Sequence, residues 1–126
     1  SDAERLLILH NKLTDLLNQE QPQCVAIEKL FFNRNVTTAV PVAQARGVLM
    51  LACARQGLPV YEYTPLQVKQ SLTGFGRAEK SQIQYMVARL LKMSAPPKND
   101  DAADALAIAI THAHHYRGMQ LRGEIK

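Results

Sequence analysis

The chain has 126 residues, 47% of them apolar, and a net charge of +4 at pH 7, which suits one compact domain with a true hydrophobic core. No stretch reaches the roughly 18 uncharged apolar residues that a membrane span needs. The polar opening from Ser1 to Arg5 leads straight into a helical pattern instead of a secretory signal, so a cytoplasmic protein is expected.

Ser1-Asp2-Ala3-Glu4 has the spacing of a capping box at a helix start. Leu6, Leu9, Leu13, Leu16 and Leu17 then recur at helical intervals, which predicts an amphipathic helix over residues 3–18. After a connection containing Pro22, Cys24-Val25-Ala26-Ile27-Glu28 reads as a short buried strand. A nearly all-apolar helix follows from Thr38 to Arg55, with Pro41 in its first turn and Gly57 as its stop. A helix apolar around most of its circumference needs two packing partners, one of them a second subunit. Val60-Tyr61-Glu62-Tyr63 is a second strand, and Thr64-Pro65-Leu66-Gln67 opens a further helix with its own capping box. Thr73 to Gly76 is a loop, a basic amphipathic helix runs from about Ala78 to Lys92, and Ala95-Pro96-Pro97 is a rigid break. The last helix is expected from Asp101 to His115, with His112, His114 and His115 at a frayed end in preference to a metal site. Cys24 and Cys53 lie in apolar runs without CxxC spacing and read as reduced, buried thiols. Alternating strands and helices indicate an α/β domain. Two strands are too few for so apolar a chain, so these elements read as the later portion of a larger sheet.

Charge is unevenly placed. From Pro65 to Lys98 the six cations Lys69, Arg77, Lys80, Arg89, Lys92 and Lys98 face the single acid Glu79, a net of +5 against about −1 elsewhere. Such a segment suits either a polyanionic partner or a solvated basic face. Three acids stand out by context. Glu28 ends an apolar strand, where an unpaired carboxylate is expensive. Asp101 and Asp104 lie three residues apart at the start of the last helix, on one face. Gathered together, such groups would repel unless a hard divalent cation intervened. The alternative is that Asp101 is a helix N-cap, Asp104 a carboxylate favoured by the helix dipole, and Glu28 an exposed strand end.

Several runs resemble the RuvC-type resolvases, in order and with compatible spacing: Ala26-Ile27-Glu28-Lys29-Leu30-Phe31-Phe32-Asn33-Arg34-Asn35, Gln44-Ala45-Arg46-Gly47, Tyr63-Thr64-Pro65-Leu66-Gln67-Val68-Lys69-Gln70, Gly76-Arg77-Ala78-Glu79-Lys80-Ser81-Gln82, and Asp101-Ala102-Ala103-Asp104-Ala105-Leu106-Ala107-Ile108-Ala109. The resemblance implies an RNase H-like α/β fold, a mixed sheet flanked by helices. It further implies a structure-selective endonuclease that resolves four-way (Holliday) junction DNA by symmetric phosphodiester cleavage in recombination and repair. In that family four acids bind Mg²⁺, or Mn²⁺ in its place, with two ions expected per site; Glu28, Asp101 and Asp104 match three of the four. Lys69 and Lys80 match lysines near the scissile phosphate, and Phe31 matches an aromatic used against bases at the crossover. Arg34 and Arg77 are expected phosphate contacts. The family works as a homodimer through the helix matching Thr38–Arg55, with branch-migration proteins as partners in the same pathway.

The family's fourth acid is an Asp on a first strand, and this chain opens on the first helix instead. Residues 1–126 are therefore read as a single RNase H-like domain, N-terminally incomplete by roughly 30–40 residues. On its own such a chain would lack one metal ligand and cleavage activity. The rival expectations are a non-catalytic junction-binding scaffold of the same fold, another RNase H-like nuclease or transposase, and a regulatory dimer whose basic face meets an acidic protein.

Overall fold

The computed structural model describes residues 1–29 and 36–126. In chain order the elements are α1 (Asp2–Glu20), β1 (Val25–Glu28), α2 (Val36–Arg55), β2 (Val60–Tyr63), α3 (Pro65–Thr73), α4 (Lys80–Leu90) and α5 (Asp100–Leu121). The Ser1 capping box forms as its spacing predicts: the Glu4 amide donates to Ser1 Oγ at 3.2 Å, and the terminal ammonium donates to the Glu4 carboxylate. The box of α3 forms too, with the Gln67 amide donating to Thr64 Oγ1 at 3.0 Å and the Thr64 amide to Gln67 Oε1 at 2.7 Å.

Among the described residues there is one sheet, of two strands. The Val25 amide donates to the Pro59 carbonyl and the Lys29 amide to the Tyr63 carbonyl. Equal steps along the two strands make them parallel, with α2 as the crossover that parallel pairing demands.

The chain divides into two compact units, one of Ser1–Val25 with Leu30–Tyr61, the other of Ala26–Lys29 with Glu62–Lys126. The first has α1 packed on α2 around Leu17, Ala52 and Cys53, supported by Leu13, Val25, Leu49, Leu58 and Val60. Cys53 is fully buried, and burial raises its thiol pKa above the ordinary value. Cys24 likewise forms no disulfide and is only half-buried. The second unit packs α3, α4 and α5 against one another around Val68, Leu72, Val87, Ala103, Ala107 and Ile110.

Two expectations need correction. The last helix does not fray at the histidines but continues to Leu121, ending where Gly123 takes a positive φ of 75°. Apolar periodicity fades after Ile110, but the polar residues that follow are part of the packing. Thr111 and His112 are both buried, and His112 Nδ1 is hydrogen-bonded to the Tyr63 hydroxyl at 2.6 Å. Helix α4 is shorter than its basic pattern suggests. It starts at Lys80 because the Glu79 amide is closed by Gln82 Oε1 at 2.7 Å, a helix-start bond.

Candidate functional site

Within the second unit five charged side chains, Glu28, Lys69, Glu79, Lys80 and Asp104, line one cavity of about 470 Å³, Glu79 from the residue just before α4. Glu28 comes from the end of β1, Lys69 from α3, Lys80 from the first turn of α4 and Asp104 from α5. Each arrives for a local reason. The parallel strand ends at Glu28, so its carboxylate sits at a carboxyl end, the side on which open α/β sheets carry their sites. The Thr64 cap and Pro65 start α3 so that Val68 faces inward and Lys69, the next residue, reaches the cavity wall. On α5, Ala103 and Ala107 are buried while Asp104 is exposed, so the helix turns its acid outward from a small-residue seam. Val68, Ala78, Ile83, Ala107 and Ile108 supply the apolar floor.

Glu28 is exposed, so the desolvation cost expected of a buried strand acid does not arise. Asp101 is exposed as well and lies outside the cavity lining, three residues before Asp104 on the same helix. Its alternative role as an N-cap is taken by Asn99, whose side-chain oxygen accepts from the Ala102 amide at 3.1 Å. Arg77 is exposed on the loop before α4 and is not among the lining residues. Phe31 and Arg34 lie outside the described residues.

The residue that sequence reasoning passed over is Asp100. Its carboxylate accepts from Lys80 Nζ at 3.0 Å through Oδ2 and from Gln84 Nε2 at 3.2 Å through Oδ1. The Asp100 contact raises the Lys80 pKa above the ordinary lysine value, and the charges of Asp104 and Asp101 add to it. Reciprocally, Lys80 holds the Asp100 carboxyl below the ordinary carboxylate value. Lys80 is thus in contact with one acid of α5, Asp100, and feels the more distant charges of Asp104 and Asp101. Nothing in the spacing of Lys80 and Asp100, 20 positions apart, could have announced that pair.

The donor set suits a hard divalent cation. The Glu28 and Asp104 carboxylates on one open cavity would leave coordination positions for water and phosphate, the manner in which Mg²⁺ is usually held. Among the described residues no three His, Cys, Asp or Glu side chains stand close enough to hold an ion by themselves. A bound ion would draw the rest of its shell from water and the ligand.

A second cavity in this unit, of about 400 Å³, is lined by Tyr63, Ser71, His114, His115 and Arg122 among others. Its polar groups are largely satisfied within the protein. Ser71 Oγ is hydrogen-bonded to His114 Nδ1 at 2.8 Å, and Arg122 pairs with Glu124 at 2.8 Å. No described helix is long and apolar enough to cross a membrane.

Comparison with known proteins fits this geometry. Residues 1–112 match the family model described as crossover junction endodeoxyribonuclease RuvC. The chain is 62% identical over 111 residues to the protein of that name from Desulfitobacterium hafniense, covering 88% of this chain and 67% of the relative. It is 56% identical over 114 residues to that of Pelotomaculum thermopropionicum, covering 90% and 70%. The Thermus thermophilus RuvC structure superposes with a TM-score of 0.86 at 39% identity, over 93% of this chain and 70% of that one. The structure of T. thermophilus RuvC in complex with Holliday junction substrate gives a TM-score of 0.87 at the same identity, over 93% and 71%. The architecture is accordingly the RNase H-like α/β fold, and the chain spans about two thirds of the length of the curated relatives named above. With the family model, the relatives and the fold in agreement, this chain belongs to the RuvC family of metal-dependent crossover junction endodeoxyribonucleases.

Proposed function

We propose that the cavity edged by Glu28, Lys69, Lys80 and Asp104 is the nuclease centre of a resolvase that cuts four-way junction DNA. The observation that carries this reading is the placing of three acids, Glu28, Glu79 and Asp104, and two cations, Lys69 and Lys80, around a single open cavity. Such a mixture is poor as a hydrophobic ligand pocket and suits a phosphodiester: cations for the phosphate, acids for the ions that neutralise it. Glu28 and Asp104 would hold the metal, with Asp101 reaching it from one turn earlier on α5. Mg²⁺, with Mn²⁺ able to replace it and two ions per site, would supply an activated water and a clamp on the leaving oxygen. Lys69 and Lys80 offset the charge that develops on the phosphate. Arg77, Phe31 and Arg34 complete the DNA contacts, Phe31 by stacking on a base at the crossover.

Residues 1–126 belong to a single RNase H-like nuclease domain acting as a homodimer in the cytoplasm. Helix α2 is the pairing surface, supported by Val40, Val42 and Leu51, large apolar side chains that stay exposed on it. Two subunits give two symmetric cuts in one junction, and branch-migration proteins of the same pathway are the expected partners.

The test is Mg²⁺-dependent cleavage by the intact protein, offered a four-way junction, a linear duplex of the same sequence and an RNA–DNA hybrid. Preference for the junction, lost in Glu28→Gln with binding retained, supports the reading. Equal cutting of the hybrid would replace it with another RNase H-like activity. A second reading, a junction-binding scaffold without catalysis, is favoured by the absence of a three-acid cluster among the described residues. It requires junction binding, steeply weakened by salt, with no cleavage at any Mg²⁺ or Mn²⁺ concentration.

A further inference from the structure

We propose that Asp100 is a positioning residue for Lys80, tying the start of α5 to the start of α4 so that the ammonium stands at the mouth of the cavity. The inference deepens the proposed nuclease reading and rests on it. Three facts carry it. Lys80 lines the cavity, whereas Asp100 does not, so the acid can act on the reaction only through its neighbours. Its two oxygens are divided between two side chains of α4, Lys80 Nζ at 3.0 Å and Gln84 Nε2 at 3.2 Å. Lys80 and Gln84 lie four residues apart, one helical turn, so a single carboxylate clamps one face of α4. And Asn99, immediately before, caps α5, which fixes the turn from which Asp100 projects.

A lysine is a point charge on a flexible stem with four rotatable bonds. Lys80 feels the charges of three acids, and a wandering ammonium would stabilise a phosphate poorly. Asp100 and Gln84 restrict it to one side, leaving its remaining N–H donors for an incoming phosphate oxygen. Effective catalysis by a charged group depends on such fixed placement. The same clamp keeps α4 in register with the helix that bears Asp101 and Asp104.

This role separates from general electrostatics by sign. Removing an acid beside a DNA-binding cavity should tighten junction binding, because one repulsion is lost. Losing the positioning contact should nevertheless slow cutting. We therefore expect Asp100→Ala, in the intact protein, to bind the junction as well as or better than wild type in Ca²⁺. In Mg²⁺ its single-turnover cleavage rate should drop by about 5–30-fold, a second-sphere effect. Asp100→Asn, which keeps both acceptor and size, should recover part of the rate, and its thermal unfolding should match wild type. In the Lys80→Ala background, Asp100→Ala should change the rate less than twofold, since the residue it serves is gone.

Wild-type cleavage by Asp100→Ala overturns the proposal. So does a multiplicative loss in the double variant, which would place Asp100 in an independent role. A rate restored by raising Mg²⁺ would make Asp100 a metal ligand and overturn it equally. If Lys80→Ala itself cuts normally, the assignment of Lys80 in the nuclease reading fails; if it is slow while Asp100→Ala is not, only the positioning inference fails.

Discussion

The two compact units solve the problem of a small core in opposite ways. The first buries a purely apolar cluster, Leu17, Ala52 and Cys53, between two long helices. It still leaves Leu7, Ile8, Leu16, Val40, Val42 and Leu51 exposed. The second unit also leaves large apolar side chains exposed, among them Leu66, Phe75 and Leu90, so the contrast lies in what each buries and not in what each exposes. The second unit buries small residues and admits polar ones, Thr111 and the Tyr63–His112 pair, while charged groups gather at its cavity. On the proposed reading, the exposed apolar side chains of α2 would serve association and the charged groups of the cavity would serve chemistry.

Substitutions sharpen that contrast, and the largest effect belongs to the cavity. Asp104→Asn should reduce Mg²⁺-dependent junction cleavage by about 10²–10³-fold while junction binding persists, because several kcal/mol of metal-assisted stabilisation are lost. Gel-resolved single-turnover kinetics decide it, and cutting at the normal rate removes Asp104 from the site. Val87 is 0% exposed, so Val87→Ala deletes two buried methylene equivalents and leaves a cavity. Urea unfolding should register a loss of about 2 kcal/mol.

The Tyr63–His112 bond comes next. Tyr63→Phe leaves a buried imidazole nitrogen without its partner, for about 1–3 kcal/mol. The pH dependence has a definite sign. Burial first, and the charge of His115 second, lower the His112 pKa. The unfolded chain therefore takes up the proton more readily than the folded one. Stability from this group is complete above the unfolded value of about 6.5 and declines as pH falls through and below it. Melting curves between pH 7.5 and 5 should show that slope in wild type and a flatter one in His112→Gln; equal slopes would remove His112 from the account.

The smallest effect on folding is expected from Leu51→Ala, since Leu51 is 52% exposed. Subunit unfolding should change by no more than about 0.5 kcal/mol. Self-association, followed by sedimentation against concentration, should weaken clearly. Large destabilisation with unchanged mass would assign that helix face to the interior and cancel the contrast.

How much of this was legible in the sequence follows the range of the forces involved. Helix starts at Ser1 and Thr64 were readable because capping boxes close within three residues. The strands at Val25–Glu28 and Val60–Tyr63 were readable from short apolar runs bounded by turns. The end of α5 was not, because it depends on the burial of Thr111 and His112 against partners far away in sequence. The same holds for Asp100. Sequence reasoning gave it no role, because its partners Lys80 and Gln84 lie 20 and 16 positions away and meet it only in the folded chain. For Glu28 the sequence left two environments open, a costly buried carboxylate or an exposed strand end, and the structure gives the exposed one, because four residues of apolar pattern cannot tell which end of a strand meets water.

The parallel pairing of β1 and β2 has a consequence for the timing of biosynthesis. A cavity wall that begins at Glu28 is finished only by Asp104, roughly 75 residues later, an interval of about 4–15 s of ribosomal elongation. Chains halted between Lys98 and Asp104 would carry the whole basic segment but not the α5 acid of the cavity. On the proposed assignment, the linear order of the polypeptide thus leaves the α5 acid as the last charged group of the cavity to be made.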